Sequence, residues 1–317
     1  EIRDLARLMV NNKAVAIRTG VALERTANGG DAVRAIASLP ALTGSWRLPG
    51  GGIFQHPQGT FPINRNALTN PQFVEDSRNS VNLFDLASAL SSDADVSIKS
   101  LFIYNANPVI AAANQLKLLE NLCRKDLFTV VSEIFQTDTC DYADILLPAT
   151  SQMEQKDLMY SWGHYNIQYN QKAIEPLGEA VSNTELFRRL AQVFLFGDDV
   201  FTRDDDEIMS KAMLWDHKNL DGITLQSLAE RGYARLNVGD AKNRAPHRNG
   251  DFPTESGKFE FASSQIETGG EMLVVYRQGV DDKKKYPAVD ALPSYKPNAI
   301  PDDGFVLISP KHHYFLN

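Results

Sequence analysis

Cysteine is scarce in this chain, because the 317 residues contain only two, Cys123 and Cys140. Their separation is too long for a CxxC metal-binding pair, so the chain as given supplies no iron–sulfur ligand set. Cys123 lies on the apolar side of a predicted helix and is expected to be a small core residue, whereas Cys140 lies in a polar loop. The lack of disulfide-type cysteine usage favours a cytoplasmic location. A periplasmic location stays open, because targeting signals are N-terminal.

Long apolar runs and basic tracts are also lacking. No apolar run approaches the roughly 20 residues that a membrane-spanning helix needs, so we expect no membrane span in this chain. The formal net charge is -8 with both signs interspersed, and the one basic triplet, residues 283–285, follows two aspartates. This balance excludes nucleic acid as the main partner. With 43% hydrophobic residues the chain can bury a sizeable core, in two domains or one large one.

A βαβ unit is predicted near the middle of the chain. Ser100 to Tyr104 is a short apolar run typical of a buried strand, and Phe128 to Ser132 is a second one. Between them, apolar residues recur at helical spacing from Val109 to Arg124, with Asn107 as a candidate N-cap and Pro108 at the first helical position. Such crossovers build parallel sheets that are buried on both faces. We therefore predict an α/β fold with a Rossmann-like, parallel-sheet binding region.

Two polar loops are expected at the carboxyl edge of this sheet, where open parallel sheets bind ligands. The first is Asn105 to Pro108. The second runs from Glu133 to Tyr142 and contains Thr137 and Thr139, whose hydroxyls offer both donors and acceptors to a nucleotide. On spacing alone, an ordinary helix cap followed by an ordinary loop is the commoner explanation of these residues.

The order of three segments in this region resembles the molybdopterin oxidoreductase family, which includes dimethyl sulfoxide reductases and formate dehydrogenases. The segments are Asn-Ala-Asn-Pro at 105–108, Glu133 with Thr-Asp-Thr at 137–139, and Ala-Asp-Ile-Leu-Leu-Pro at 143–148. Cys140 departs from the pattern, which has a small residue there. The resemblance implies a cofactor of molybdenum, or tungsten, held by two molybdopterin guanine dinucleotides. It assigns binding roles to a set of six residues: Asn107, Pro108, Glu133, Thr137, Thr139 and Asp144.

An earlier segment, residues 20–29, resembles the family's G-x-x-x-[Q/E]-R-x-x-x-G stretch. By that resemblance Gly20, Glu24, Arg25 and Asn28 approach the cofactor, and the Arg25 guanidinium suits a polar heterocycle or an anionic oxygen. The alternative is a helical turn with a glycine-rich exit. Residues 50–52 are three consecutive glycines, which permit close approach of a ligand or of another chain segment. They lack the Lys and Ser/Thr of a P-loop.

The C-terminal end of the chain resembles the start of the family's last domain. Phe305 to Ser309 is a strand candidate, and the resemblance brings Ser309, Lys311, His312 and Asn317 to a cofactor phosphate or pterin. The alternative is an exposed cationic terminus. We predict three segments: a molybdopterin guanine dinucleotide-binding α/β region at 1–270, a linker at 271–304, and the first strand of a C-terminal dinucleotide-binding β-barrel at 305–317.

We therefore expect an interior fragment of a molybdopterin-dependent oxidoreductase. The whole enzyme would catalyse oxygen-atom or electron transfer, as in anaerobic respiration, and the fragment would be inactive by itself. No catalytic or metal-ligating residue is assigned within it. The expected partners are the remainder of the same catalytic subunit, with an iron–sulfur cluster in its N-terminal part, and an iron–sulfur electron-transfer subunit. Three alternatives stay open: a non-catalytic relative that serves as a structural subunit of a respiratory complex, a thiamine-type or other Rossmann-like domain, and an interaction domain that binds no nucleotide.

Overall fold

The structure is a computed structural model that describes residues 1–26, 28–73, 81–94, 96–240, 242–245, 247–273, 283–286, 288–297 and 304–305. The described residues divide into two compact units. Unit 1 comprises those within Glu1–Asn66, Tyr160–Gln168 and Ala212–Ile308, and unit 2 those within Ala67–Met159 and Tyr169–Lys211. The predicted boundaries at 270 and 304 stay predictions.

Short helices and strands alternate through much of the chain. The α-helices are α1 Ile2–Asn11, α2 Gly29–Leu42, α3 Arg65–Thr69, α4 Leu86–Ala89, α5 Pro108–Ala111, α6 Gln115–Leu122, α7 Asn183–Val193, α8 Asp205–Lys211, α9 Leu225–Arg231 and α10 Ser264–Thr268. The strands are β1 Ala16–Arg18, β2 Gly52–Phe54, β3 Ser100–Tyr104, β4 Phe128–Glu133, β5 Ile145–Pro148, β6 Asp157–Tyr160, β7 Asn166–Asn170, β8 Tyr233–Arg235, β9 Gly270–Leu273 and β10 Lys283–Tyr286. None of the described helices is long and apolar enough to cross a membrane.

Unit 2 contains a parallel sheet of order β3-β4-β5, in which Ser100 pairs with Phe128 and Val130 pairs with Ile145. Helices α5 and α6 connect β3 to β4, which confirms the predicted βαβ unit. The main core cluster of the unit consists of Ala87, Leu90, Val109, Leu118, Leu122 and Leu127. The chain is thus a mixed α/β protein with parallel sheets, as predicted.

The structure corrects three details of this unit. The helix predicted over Val109–Arg124 is interrupted, because Asn114 takes a left-handed conformation with φ 56°. Ile110, which precedes this break, and Leu116, which follows it, are 60% and 81% exposed instead of buried. Cys123 follows α6 and is exposed, whereas Cys140 is buried. The predicted burial of the sheet on both faces is wrong for β5, because that edge strand exposes two successive apolar side chains, Ile145 and Leu146.

Unit 1 contains a second parallel pair, β1 and β2, in which Ala16 pairs with Gly52. The three-glycine run enters β2 and packs closely on the residues after α2. A Cβ atom at Gly51 would lie 2.1 Å from the Ser45 carbonyl oxygen, and one at Gly52 would lie 2.7 Å from the Trp46 ring. The close approach that glycines permit is therefore made here by the chain itself. Gly29 begins α2, and Asn28 holds its N-cap position.

The described residues in the C-terminal third of unit 1 have little regular structure. Residues 253–261 contain a turn, with Gly257 at φ 67°, but form no strand. The predicted strand at Phe305 to Ser309 and the barrel that it would begin fall almost entirely outside the described residues. The same holds for all four predicted binding residues of the C-terminus, namely Ser309, Lys311, His312 and Asn317.

Candidate functional site

The carboxyl ends of β3 and β4 bring together most of the binding residues that we predicted in unit 2. β3 ends at Tyr104, and Asn105 takes a left-handed turn with φ 52°, a conformation that asparagine tolerates better than most residues. Asn107 then holds the N-cap position of α5 and Pro108 its first helical position, as predicted. The Asn107 side chain does not cap the helix, however. It accepts a hydrogen bond from the neighbouring loop instead.

Thr139 joins the two loops of this edge. It lies in the 3₁₀ helix Asp138–Tyr142 and its side chain is fully buried. The Thr139 hydroxyl donates to Asn107 Oδ1 at 2.6 Å and accepts from the Val109 backbone N–H at 3.2 Å. With Asn107 Oδ1 held in this way, the Asn107 Nδ2 group donates to no other residue in the described part of the chain. The edge therefore presents a fixed amide donor.

Two further residues of the second loop have different surroundings. Glu133, half-buried at the end of β4, accepts the Ile134 backbone N–H at 2.7 Å through Oε1. Its Oε2 atom accepts from none of the described residues. Thr137 caps the 3₁₀ helix through its backbone carbonyl, which accepts from the Cys140 N–H at 2.8 Å. Thus Glu133 adds an acceptor to the edge, whereas Thr137 shapes the loop.

Asn183 also belongs to this edge, although no sequence motif singles it out. It is the first residue of α7, and its Nδ2 donates to Asn105 Oδ1 at 3.2 Å. Its own Oδ1 is buried without a hydrogen-bond partner. A buried acceptor without a partner costs free energy and calls for an explanation such as a bound ligand. Because Asn183 lies far from Asn105 in sequence, only the tertiary structure brings the two together.

Asp144 does not join this set. It precedes β5, and its Oδ2 accepts the Thr129 backbone N–H at 2.7 Å near the start of β4. The Asp144 N–H in turn donates to the Thr129 carbonyl at 2.8 Å. Because β4 and β5 are parallel, this pairing lies at the amino edge of the sheet, opposite to Asn107 and Glu133. The geometry of Asp144 is that of a residue that fixes strand register.

In unit 1, the residues predicted from the earlier motif follow the carboxyl end of β1. Gly20 has φ -103°, and Glu24 and Arg25 lie in the 3₁₀ helix Val21–Arg25. Arg25 is exposed, and its guanidinium contacts no carboxylate in the described part of the chain. It is therefore available to an anion or a polar ring.

The Asn28 side chain forms a hydrogen bond with a later segment, residues 288–297, which we call the strap. Asn28 Nδ2 donates to the Lys296 carbonyl oxygen. Further along α2, the Arg34 guanidinium donates to the carbonyl oxygens of Asp290, at 3.1 Å, and Ala291. Arg34 also forms an ion pair with Asp31 at 3.0 Å. Between the strap and the first turn of α2 lies a cavity of about 310 Å³. The predicted linker thus includes a segment that is bound to the helix beside the predicted cofactor residues.

Another cavity within unit 2, of about 490 Å³, lies elsewhere and is lined by charged side chains that pair with one another. Lys156 and Tyr169 both bond Asp206, at 2.8 and 3.0 Å, and the Lys156 hydrogen bond holds the pKa of Asp206 below its ordinary value. Arg188 bonds Glu185 and Asp205 in the same manner. Such internal pairing leaves this cavity a poor ligand site. Nor do His, Cys, Asp and Glu side chains gather in threes to hold a metal ion within the described ranges.

Several known proteins are similar to this chain. The family model described as molybdopterin oxidoreductase matches residues 4–193. A probable oxidoreductase of Bacillus subtilis, YoaE, is 36% identical over 321 residues, covering 100% of this chain and 44% of that protein. A second one from the same organism, YyaE, is 30% identical, covering 85% and 39%. The F420-dependent formate dehydrogenase subunit alpha of Methanocaldococcus jannaschii is 27% identical, covering 62% and 32%. The chain spans less than half the length of these relatives.

Proposed function

Since the chain belongs to the molybdopterin oxidoreductase family, we propose that it forms part of the binding site for a molybdenum or tungsten bis(molybdopterin guanine dinucleotide) cofactor. The whole protein is then an oxidoreductase of oxygen-atom or electron transfer. Its further partners are the remainder of the catalytic subunit and an iron–sulfur electron-transfer subunit. A relative whose name identifies it as the alpha subunit of a formate dehydrogenase is in keeping with such an assembly.

The observation that carries the proposal is the unpaired hydrogen-bonding capacity at the carboxyl edge of β3 and β4. Asn107 offers an amide donor, Glu133 a carboxylate oxygen and Asn183 a buried amide oxygen that has no partner. A guanine base carries N–H donors and an acceptor carbonyl on adjoining atoms, so it matches this mixture. We leave Asp144 out of the proposed set, because its carboxylate is used at the opposite edge.

In unit 1, the exposed Arg25 guanidinium is proposed to bind an anionic oxygen or the polar heterocycle of the pterin. Asn28 would also contact the pterin, once its amide no longer donates to the Lys296 carbonyl oxygen. When bound, the molybdenum–pterin group supplies the redox chemistry. The residues of this chain bind and orient it.

Guanine-selective stabilisation tests the nucleotide part of the proposal. We expect guanosine diphosphate to raise the thermal unfolding midpoint, since a ligand at 100 times its Kd stabilises the native state by about 2.7 kcal/mol, and adenosine diphosphate to raise it less. The Asn183→Ala variant should lose the guanine preference. Asn243→Ala, an exposed asparagine of unit 1, is the matched control. An equal rise with both nucleotides, or none, would contradict the proposed guanine site.

Metal content separates the cofactor-binding enzyme from a non-catalytic relative. In the full-length protein, Arg25→Gln should lower the molybdenum or tungsten content, while Arg7→Gln, an exposed arginine of α1, should leave it unchanged. A full-length wild-type protein that purifies without either metal and without pterin would favour a structural subunit. Retention of full metal content in the Arg25 variant would remove Arg25 from the site.

A further inference from the structure

A chain of aromatic rings in unit 1 is not used by the proposed cofactor site. The Trp46 ring contacts the edges of His247 and Phe252, at centroid distances of 5.4 and 6.3 Å. Phe252 stacks on His247 at 4.1 Å and meets Phe259 at 5.5 Å. The chain of rings continues to Phe261 at 5.1 Å from Phe259. Perpendicular ring contacts of this kind fix the orientation of each ring.

These rings do not fill the space between them. A cavity of about 200 Å³ remains, walled by Trp46, Phe252, Phe259 and Phe261. A cavity of about 150 Å³ lined by apolar side chains is large enough to bind benzene. The cavity in unit 1 therefore accepts one six-membered ring with a small substituent.

Two cations lie at the solvent side of this cavity. Arg47 and Lys258 both line it, and both residues are exposed. Neither side chain forms an ion pair or a hydrogen bond with any residue in the described ranges. The Arg47 guanidinium packs against Gly250, where an added Cβ would lie only 2.7 Å from Arg47 Nη2. Gly250 also has φ +74°, which favours glycine. The absence of a side chain at 250 thus leaves room for the guanidinium beside the rings.

We propose that this cavity is a binding site for a small aromatic anion, with the ring held among Trp46, Phe252 and Phe259 and the charge facing Arg47 and Lys258. The aromatic walls favour a flat ring over an aliphatic one through offset and edge contacts. The two unpaired cations favour a carboxylate over a neutral group. The site is independent of the molybdopterin cofactor.

Three probes of matched size test the proposal: benzoate, its neutral analogue benzamide, and cyclohexanecarboxylate, which keeps the charge but not the aromatic ring. Binding is followed through the indole N–H signal of Trp46 in the NMR spectrum, identified with the Trp46→Phe variant. We expect benzoate to bind about ten-fold more tightly than benzamide, the sum of two modest exposed ion pairs, and more tightly than cyclohexanecarboxylate, which lacks the aromatic ring contacts. The Arg47→Gln/Lys258→Gln double variant should lose the preference for benzoate over benzamide and bind benzamide as before.

Lys242→Gln is the matched control, because Lys242 is also an exposed lysine of unit 1 but does not line the cavity. Because Arg47 and Lys258 form no ion pair within the described part of the chain, their replacement should leave the thermal midpoint unchanged, which is checked before the titrations. Equal binding of benzoate and benzamide would overturn the proposal, and so would the absence of binding by all three probes. Undiminished benzoate binding by the double variant would do the same.

Discussion

At the scale of single residues, two buried threonines of unit 2 differ in the hydrogen bonding of their hydroxyls. Thr139 is 0% exposed and its hydroxyl makes two hydrogen bonds that join the loops at the carboxyl ends of β3 and β4. Thr129 is 1% exposed, and its hydroxyl has no partner. Both have the same side chain and a similar degree of burial, so a difference between them measures the hydrogen bonds and not the packing.

Replacing each threonine with valine, which removes the hydroxyl and keeps the shape, should separate the two cases. We expect Thr139→Val to lower the free energy of unfolding by about 1–3 kcal/mol, because Asn107 Oδ1 and the Val109 N–H lose their partner. Thr129→Val should be neutral or stabilising. Urea unfolding of both variants measures the difference. Equal effects at the two positions would show that Thr139 does not hold the edge together.

At the scale of elements, hydrogen-bonded caps fix the short helices after the sheet. Ser182 and Glu185 have the spacing of a capping box. Ser182 accepts the Glu185 N–H, but the Glu185 carboxylate pairs with Arg188 and Arg189 instead of returning to the cap. A complete capping box occurs at the 3₁₀ helix Gln152–Glu154, where Glu154 accepts the Ser151 N–H at 2.7 Å.

The Glu154 cap should make stability depend on pH. Hydrogen bonds from the side chain and backbone of Ser151, and from the Leu177 N–H, hold the pKa of Glu154 below its ordinary value of 4.5. A lowered folded-state pKa means that the stabilisation is complete above pH 4.5 and is lost as the pH falls through the folded pKa. Glu154→Gln should therefore lower the thermal midpoint most above pH 4.5, with a difference that shrinks in acid.

Thermal unfolding from about pH 3 to 7 measures this difference, a range that spans the ordinary glutamate pKa. The exposed Glu267 provides the control substitution, Glu267→Gln. A constant difference between wild type and Glu154→Gln across the range would mean that the cap acts without its charge.

The strap is the second element that the tertiary structure defines. Arg34 donates to two strap carbonyls, and the Val289 N–H donates to the Ile266 carbonyl at 3.0 Å. Arg34→Gln should remove charge-assisted hydrogen bonds worth about 1.5–3 kcal/mol each and increase hydrogen exchange of the Val289 amide about ten-fold or more. Mass spectrometry of the peptide that covers 288–297 measures it. Arg34→Lys should lie between wild type and Arg34→Gln, and unchanged exchange would show that Arg34 does not hold the strap.

At the scale of the whole molecule, the tryptophans are unevenly divided between the two units. All three tryptophans, at 46, 162 and 215, fall in unit 1. Unit 2 contains the cluster of Ala87, Leu90, Val109, Leu118, Leu122 and Leu127 and the parallel sheet β3-β4-β5, but no tryptophan. Tryptophan fluorescence therefore reports on unit 1 alone, whereas far-ultraviolet circular dichroism reports on both units.

We expect the two signals to give different thermal midpoints, because chains with several compact units depart from two-state unfolding. Guanosine diphosphate should shift the circular dichroism transition more than the fluorescence transition, since the proposed guanine residues lie in unit 2. Coincident midpoints, with and without nucleotide, would show that the two units unfold as one.

The sequence by itself determined the local parts of this protein whose causes lie within a few neighbouring residues. Short apolar runs predicted β3 and β4, and apolar residues at helical spacing predicted the crossover between them. Pro108 fixed the start of α5, because the φ angle of proline suits the first helical position, and Asn107 holds the N-cap position before it without a side-chain cap. The ordered polar segments at 105–148 gave the family. The residues selected for the binding edge, Asn107 and Glu133, lie at the ends of strands, where chain order alone implies their position.

Only the tertiary structure decided the features that depend on contacts between distant segments. Asn183 reaches Asn105, and the strap reaches Asn28 and Arg34, across separations that no periodicity encodes. Asp144 has the right neighbours in sequence but pairs with Thr129 at the amino edge, because the direction of β5 places it there. The left-handed Asn114 turned the apolar pattern of the crossover away from the core, so that Leu116 is exposed. Burial and partner choice are set by the whole chain, because each buried polar group must find its hydrogen bond wherever the fold supplies it.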